Sequence, residues 1–310
     1  MYIGIDLGGT NIAAALVDEN GKIIKKVSIP TEAGQGTKAV TDGLMKVCEM
    51  ILEETKAEIK SVGIGVPGMM NVETGEVIYS PNLPLNHVNI TTEIKQKLGV
   101  PVYINNDANC AALGEAYAGG AKEANNAVFV TLGTGVGGGI IIDKKVYSGF
   151  NGVAGEIGHV VIAMDGRQCG CGRKGGWEAY ASASGLIRTT KEYMEEDKNS
   201  KIVEGDINKV NGRTSFDAMR AGDPTAQKVV DTYIKHLAAG VVDMINIFEP
   251  EVVCIGGGIS NEGEYLLKPL QAAVDAEKYT RFSDDVPQTL IKKAELGNDA
   301  GIVGAAMLGK

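Results

Sequence analysis

The chain has 310 residues, enough for two ordinary domains with cores of their own, and 44% hydrophobic against 22% charged residues is a globular balance. Lys plus Arg number 30 and Asp plus Glu 39, a net charge of −9 that is the wrong sign for nucleic acid or an anionic membrane surface. Five scattered cysteines make no disulfide framework, and neither a signal peptide nor an apolar run of about 18 residues is visible, so a soluble cytoplasmic protein with reduced thiols is expected.

From the N-terminus, "YIGID", "IAAALVD" and "KIIKKVSI" read as three short strands joined by turns, an antiparallel meander. Residues 37–56 carry apolar positions at helical spacing, among them Leu44, Val47, Cys48 and Ile51. "SVGIGVPG" is a strand ending in a Pro-Gly turn, and "VPVYINN" is another. The Ala-rich run from Asp107 to Ala121 is helical, with the Asp107 carboxylate placed to cap it.

Next comes "NAVFVTLGTGVGGGIIID". Its residues 131–143, "TLGTGVGGGIIID", match residues 6–18, "DLGGTNIAAALVD", in length, in Leu-Gly at the second and third positions and in a final Asp. Strand, Gly-rich turn, strand therefore occurs twice, which predicts two related α/β domains. Farther on, 177–195, 214–221 and 224–248 read as helices, with Pro224 in the first turn of the third. "EVVCIGGGIS" is a buried strand running into a glycine turn, "QTLIKKAEL" a last strand, and "NDAGIVGAAMLG" a C-terminal helix capped by Asn298 or Asp299. Cys48, Cys110 and Cys254 fall on apolar faces and are core residues.

The glycine loops carry chemistry. No G-x-x-x-x-G-K-[ST] is present. Gly133, Gly135 and Gly138 satisfy G-x-G-x-x-G, but the apolar β-type run after them does not open the helix that a dinucleotide fingerprint needs. A strand–turn–strand loop can still gather backbone N–H groups around an anion. Thr10, Asn11 and Thr134 add side-chain donors for phosphate oxygens. Asp6 ends an apolar strand and either holds Mg²⁺ through water or bonds its own turn. "CGCGRKGGWE", Cys169 to Glu178, reads like half of a metal knuckle.

Taken together, "DLGGTN", "GVPG", "NNDANCAALGE", "TLGTGVGGG", "GEIGH", "CGCGRKGGWE" and "IGGGIS" resemble, in order and over nearly the whole chain, the ROK family of repressors and sugar kinases. The likeness is greatest to its bacterial glucokinases. The resemblance implies the actin-like, hexokinase-like ATPase fold, α/β, with two ribonuclease-H-like domains and a cleft between them. It implies a small domain over 1–118 plus 298–310 and a larger one over 119–297.

The implied activity is ATP-dependent phosphorylation of a hexose 6-hydroxyl, glucose first, with Mg²⁺. Asp107 matches the catalytic base. Asn106, Glu156, His159 and Glu178 match sugar ligands, and Gly68 and Asn82 lie in segments lining the sugar. Asp6, Gly8, Gly9, Thr10 and Asn11, with Gly133, Thr134 and Gly135, match the phosphate loops. Gly256, Gly257 and Gly258 match the approach to adenosine.

The family zinc site joins a histidine to three cysteines. Here His159, Cys169 and Cys171 match three of them, and Gly176 stands at the fourth. Either Zn²⁺ binds with three protein ligands, or the loop is held without metal and its cysteines are unpaired surface thiols. Kinases for fructose, mannose, N-acetylglucosamine or N-acetylmannosamine are the alternatives. A sugar-responsive regulator is a remoter one, because the first strand starts at residue 2 and leaves no room for a DNA-binding domain. An actin-like chaperone or filament would lack the sugar motifs. Relatives suggest a homo-oligomer, dimer or tetramer, with no nucleic-acid or membrane partner.

Overall fold

The computed structural model describes every residue except Glu54, Lys56 and Asp284, and the chain divides into two compact units. Unit one comprises residues 1–129, 139–155 and 295–310; unit two comprises 130–138 and 156–294.

In unit one the expected meander is present: β1 (Tyr2–Leu7), β2 (Asn11–Val17) and β3 (Ile23–Pro30) pair antiparallel. Alpha-helix α1 runs Thr37–Leu52, shorter than the expected 37–56, whose end includes Glu54 and Lys56, outside the described residues. Strand β4 (Ser61–Val66) joins β1 in parallel. A small sheet follows, from β5 (Met69–Asn71), β6 (Glu76–Tyr79) and β7 (Asn86–Asn89), then α2 (Thr92–Leu98). Strand β8 (Val102–Asn106) pairs with β4 in parallel and leads directly into α3 (Asp107–Ala118).

The main sheet has the order β3-β2-β1-β4-β8. Strand β4 is buried along its whole length and β1 nearly so, as a central strand covered on both faces must be. Edge strand β3 alternates half-buried and exposed residues and carries Lys25, Lys26 and a terminal Pro30, which discourage further pairing. Helix α1 sends Val40, Leu44, Val47, Cys48 and Ile51 into the core beside Ile5, Leu7 and Ile64. Each such aliphatic chain contributes about 1.5–3 kcal/mol by leaving water. The C-terminal helix α9 (Ala300–Met307) packs on β1, β4 and α3 at backbone distance. Cβ atoms added at Gly4 and Gly63 would lie 2.0 and 1.8 Å from its carbonyl oxygens. Asp299 does occupy the position before α9, but its carboxylate pairs with Lys26 and caps nothing.

Strand β9 (Ala127–Leu132), β10 (Val136–Ile142) and β11 (Lys145–Val146) form the second Gly-rich hairpin, and the unit boundary falls inside β9 and β10. Unit two continues with α4 (Glu178–Ala181), α5 (Ala183–Glu196), α6 (Thr214–Arg220), α7 (Pro224–Phe248), β12 (Val252–Gly256), α8 (Glu264–Glu277) and β13 (Leu290–Lys293). The sheet order is β11-β10-β9-β12-β13, position for position the order of the first sheet. The repeat in the sequence is thus a repeat of topology.

The expected helix over 177–195 is in fact two. Ser182 is extended and its hydroxyl accepts the Gly185 N–H at 3.0 Å, so it caps α5 and cuts off α4. Pro224 opens α7, and Asp223 before it accepts the Thr225 and Ala226 N–H groups at 2.8 and 2.9 Å. Trp177, Phe216 and Tyr233 are fully buried around α7. Trp177 Nε1 donates to the His236 carbonyl and the Tyr233 hydroxyl to that of Ala181. Among the described residues no helix is long and apolar enough to cross a membrane.

Candidate active site

In unit one the candidate residues gather where β8 meets α3. Asn106 is extended (φ −61°, ψ 145°), and its side-chain oxygen accepts the N–H groups of Ala108 and Asn109 at 2.9 and 3.4 Å. The helix cap is therefore Asn106 and not Asp107 as the sequence suggested. A cap must precede the helical backbone, and Asp107 is already its first residue. The Asp107 carboxylate shares the Ala108 N–H with Asn106, accepting it at 2.9 Å, and its own N–H and the Asn106 side chain also favour its charged form. Burial holds its pKa above the usual carboxylate value, and the hydrogen bonds pulling it down do not cancel that.

Behind the pair, Asn105 accepts the Asn106 N–H at 2.8 Å and the Asn109 amide at 3.0 Å and donates to the Ser148 hydroxyl. Asn106 Nδ2 reaches the Gly68 carbonyl at 3.4 Å, and Asn82 packs beside Gly9. The Gly8–Asn11 turn is exposed at its tip and closed by the Gly8 N–H on the Asn11 carbonyl at 3.0 Å. Of the two expectations for Asp6, a bond to its own turn is not made among the described residues. Its pKa is raised by burial first and by the negative charge of Asp107 second, with Lys26 offsetting only part. Two repelling carboxylates of this kind fit a divalent cation held on oxygen.

In unit two the matched turn, Gly133–Gly135, is pinned from α5: the Ala183 N–H donates to the Gly133 carbonyl at 2.8 Å and the Ser184 hydroxyl to that of Thr134 at 2.9 Å. Glu178 lies against the same turn. Its Oε2 accepts the Val136 N–H at 3.1 Å, and a Cβ at Gly135 would stand 2.2 Å from that oxygen. One candidate sugar ligand therefore touches one candidate phosphate loop. Gly257 has φ +81°, and a Cβ there would meet the Leu132 carbonyl at 2.4 Å, so the Gly256–Gly258 turn closes on the end of β9. Beside these turns lies a pocket of about 500 Å³, lined by Leu132, Thr134, Gly258 and Ile259 and by Asn211 and Arg213. The last two are absent from the sequence expectations, since nothing in "NGR" distinguishes it from an ordinary loop.

His159 sits at the end of a single helical turn, Ile157–His159. Its Nδ1 is 3.4 Å from Cys169 Sγ, and its Nε2 faces Glu156 Oε2 at 3.8 Å. The segments around 160–163 and 167–177 are tied by the Trp177 N–H on the Val160 carbonyl at 2.8 Å and the Ile162 N–H on that of Gly175 at 3.0 Å. That pairing brings the ligand atoms of His159, Cys169 and Cys171 within 4.8 Å of one another. Cys169 is buried, so only Cys171 is a surface thiol, and burial pushes the Cys169 thiol up. One imidazole and two sulfurs suit zinc. A Cβ at Gly176 would lie 2.6 Å from Cys169 Sγ, so position 176 does point into the cluster, and the sulfur fills that room. Cys48, Cys110 and Cys254 are buried as expected.

Comparison with known proteins agrees over the full length. The model of the ROK family matches residues 2–310. A glucokinase of Thermotoga maritima is 39% identical over 310 residues, covering 99% of this chain and 96% of that one. An N-acetyl-D-glucosamine kinase of Aliivibrio salmonicida is 33% identical over 319 residues, covering 99% of each. The crystal structure of a ROK glucokinase from Streptomyces griseus with glucose and AMPPNP superposes with a TM-score of 0.74 at 34% identity, covering 99% of this chain and 98% of that one.

Proposed function

The chain belongs to the ROK family, and from that membership we propose that it is an ATP-dependent hexose kinase acting on the 6-hydroxyl of glucose. Asp107 is the base in this reading. It orients the hydroxyl and takes its proton as the oxygen bonds the γ-phosphorus, while the bond to the bridging oxygen breaks and ADP leaves. A pKa held up by burial makes the ionised Asp107 a stronger base than a free aspartate. That carboxylate, buried in the first turn of α3 beside the Asn106 cap, is the observation that carries the proposal.

Asn106 has spent its oxygen on the cap, so it offers a sugar hydroxyl its Nδ2. Glu156, His159 and Glu178 supply further polar partners, and Gly68 and Asn82 line the sugar. Backbone N–H groups of Gly8–Asn11 and Gly133–Gly135 receive phosphate oxygens, and Gly256–Gly258 approach the adenosine. Asp6 would hold Mg²⁺, which neutralises phosphate charge when bound. His159, Cys169 and Cys171 would hold Zn²⁺ without a fourth protein ligand, and bound zinc would stiffen the loop that carries His159 and leads to Glu178.

The 33% identical N-acetylglucosamine kinase supports a second substrate for the same site. A coupled assay with Mg-ATP over glucose, mannose, fructose, N-acetylglucosamine and N-acetylmannosamine decides between them. Glucose is expected to give the highest kcat/KM. A higher value for N-acetylglucosamine would transfer the assignment, and turnover of none would refute the kinase.

A further inference from the structure

The apolar period of residues 177–195 suits one helix, yet the chain breaks at the extended Ser182 (φ −75°, ψ 168°). A continuous helix would return the N–H groups of Ala183 and Gly185 to the carbonyls four residues back, those of Ala179 and Ala181. Both donate elsewhere. The Ala183 N–H goes to the Gly133 carbonyl in the β9–β10 turn at 2.8 Å, and the Gly185 N–H to the Ser182 hydroxyl at 3.0 Å. The candidate phosphate turn is thus held by a donor that the helix gave up.

Side chains take the two abandoned carbonyls. Arg167 Nη1 donates to that of Ala179 at 3.3 Å, and the Tyr233 hydroxyl to that of Ala181 at 2.7 Å. A carbonyl shielded from water and left without a donor is unfavourable, so these two bonds decide whether the break persists. Both donors are fixed. Tyr233 is fully buried on α7. The Arg167 side chain is 12% exposed; its Nη2 bonds the Thr189 hydroxyl at 3.0 Å and pairs with Glu192. Its guanidinium lies 4.8 Å over the Tyr180 ring, and its own N–H donates to the Tyr180 hydroxyl at 2.6 Å. A planar fork reaching from the knuckle segment therefore ties α4 to α5 across the break.

Resting on the kinase reading of this site, we infer that Arg167 and Tyr233 are positioning residues of the phosphate turn: by holding the α4–α5 break open, they keep the Ala183 N–H on the Gly133 carbonyl. The same break fixes Glu178, the first residue of α4, whose Oε2 accepts the Val136 N–H of that turn at 3.1 Å. Without the two side chains, the helix closes over Ser182, the Ala183 N–H returns to Ala179, and the turn loses its tie. Both residues act through the backbone of the turn and not on a reacting atom.

The test is calorimetric titration of the full chain with Mg-ATP, without hexose, for the wild type, Tyr233→Phe, Arg167→Lys and Arg167→Met, with a thermal melt of each. Tyr233→Phe deletes one hydroxyl and leaves the core packed, and Arg167→Lys keeps the charge but loses the fork. Loss of the Tyr233 bond predicts ATP binding about threefold weaker or worse, and Arg167→Met about tenfold or worse, with Arg167→Lys in between. A merely structural role would lower the melting temperature and leave the affinity of the folded protein alone. Unchanged affinity in Tyr233→Phe or in either Arg167 variant overturns the inference, as does a wild type that binds no ATP. Hexose turnover is measured on the same samples. ATP binding that depends on Arg167 and Tyr233, without turnover of any hexose, would sink the kinase reading and uphold this one. Turnover with unchanged ATP affinity in the variants would do the reverse.

Discussion

At Asp107 two effects of opposite sign compete. A carboxylate in the first turn of a helix gains about 0.3–1 kcal/mol from the N-terminal dipole. Burial opposes this and wins, because the folded pKa lies above the value of 3.8 usual for aspartate. A raised pKa means that the folded chain holds this proton more tightly than the unfolded chain does. Stability from this group is therefore lost as pH rises through the folded pKa, and above that pKa the ionised carboxylate costs the fold. Asp107→Asn should then melt at or above the wild-type temperature at pH 7, with the gap closing as pH falls toward the carboxylate range. Thermal scans across pH check this, and a variant that melts well below wild type at pH 7 would show that the carboxylate is structural. Which residue caps α3 was beyond the sequence, since Asn106 and Asp107 are both good caps and only the backbone angles choose.

The turns are where single elements set the chemistry. Gly257 has a positive φ and a backbone oxygen in the path of any side chain. Gly257→Ala should cost roughly 2 kcal/mol or more, read by chemical denaturation, and should weaken ATP binding. A fully stable variant would mean the turn adapts. In the knuckle, three ligands predict about one zinc per chain by elemental analysis, lost readily to a chelator. Cys169→Ser should lower the zinc content, and Gly176→Cys should slow its loss once Cys169 rotates aside. Metal-free wild type, purified without chelator and with zinc present, would refute the site. These motifs were legible because glycine, cysteine and histidine have few other reasons to fall at such spacing. The β5–β7 sheet, the break at Ser182 and α8 were not. Strands of three or four residues such as "MMN" and "NHVN" are too short to show alternation, and a helix split by one extended serine keeps its apolar period across the gap.

The whole molecule repeats one plan. Two sheets share a strand order, each opens with a hairpin around a Leu-Gly turn, and the thirteen-residue match in the sequence marks that hairpin in both. The loop Asn211–Arg213 has no counterpart in the repeat. It is known as a pocket wall only once the chain has folded. The central claim is that this duplicated scaffold is a glucose kinase whose base is Asp107. The most direct measurement is the steady-state rate of glucose 6-phosphorylation by Mg-ATP for the wild type and for Asp107→Asn at pH 7. The wild type should turn over, and the variant should lose about 10²–10⁴-fold in kcat while remaining folded. A variant that keeps its kcat, or a wild type inactive on glucose, would contradict it.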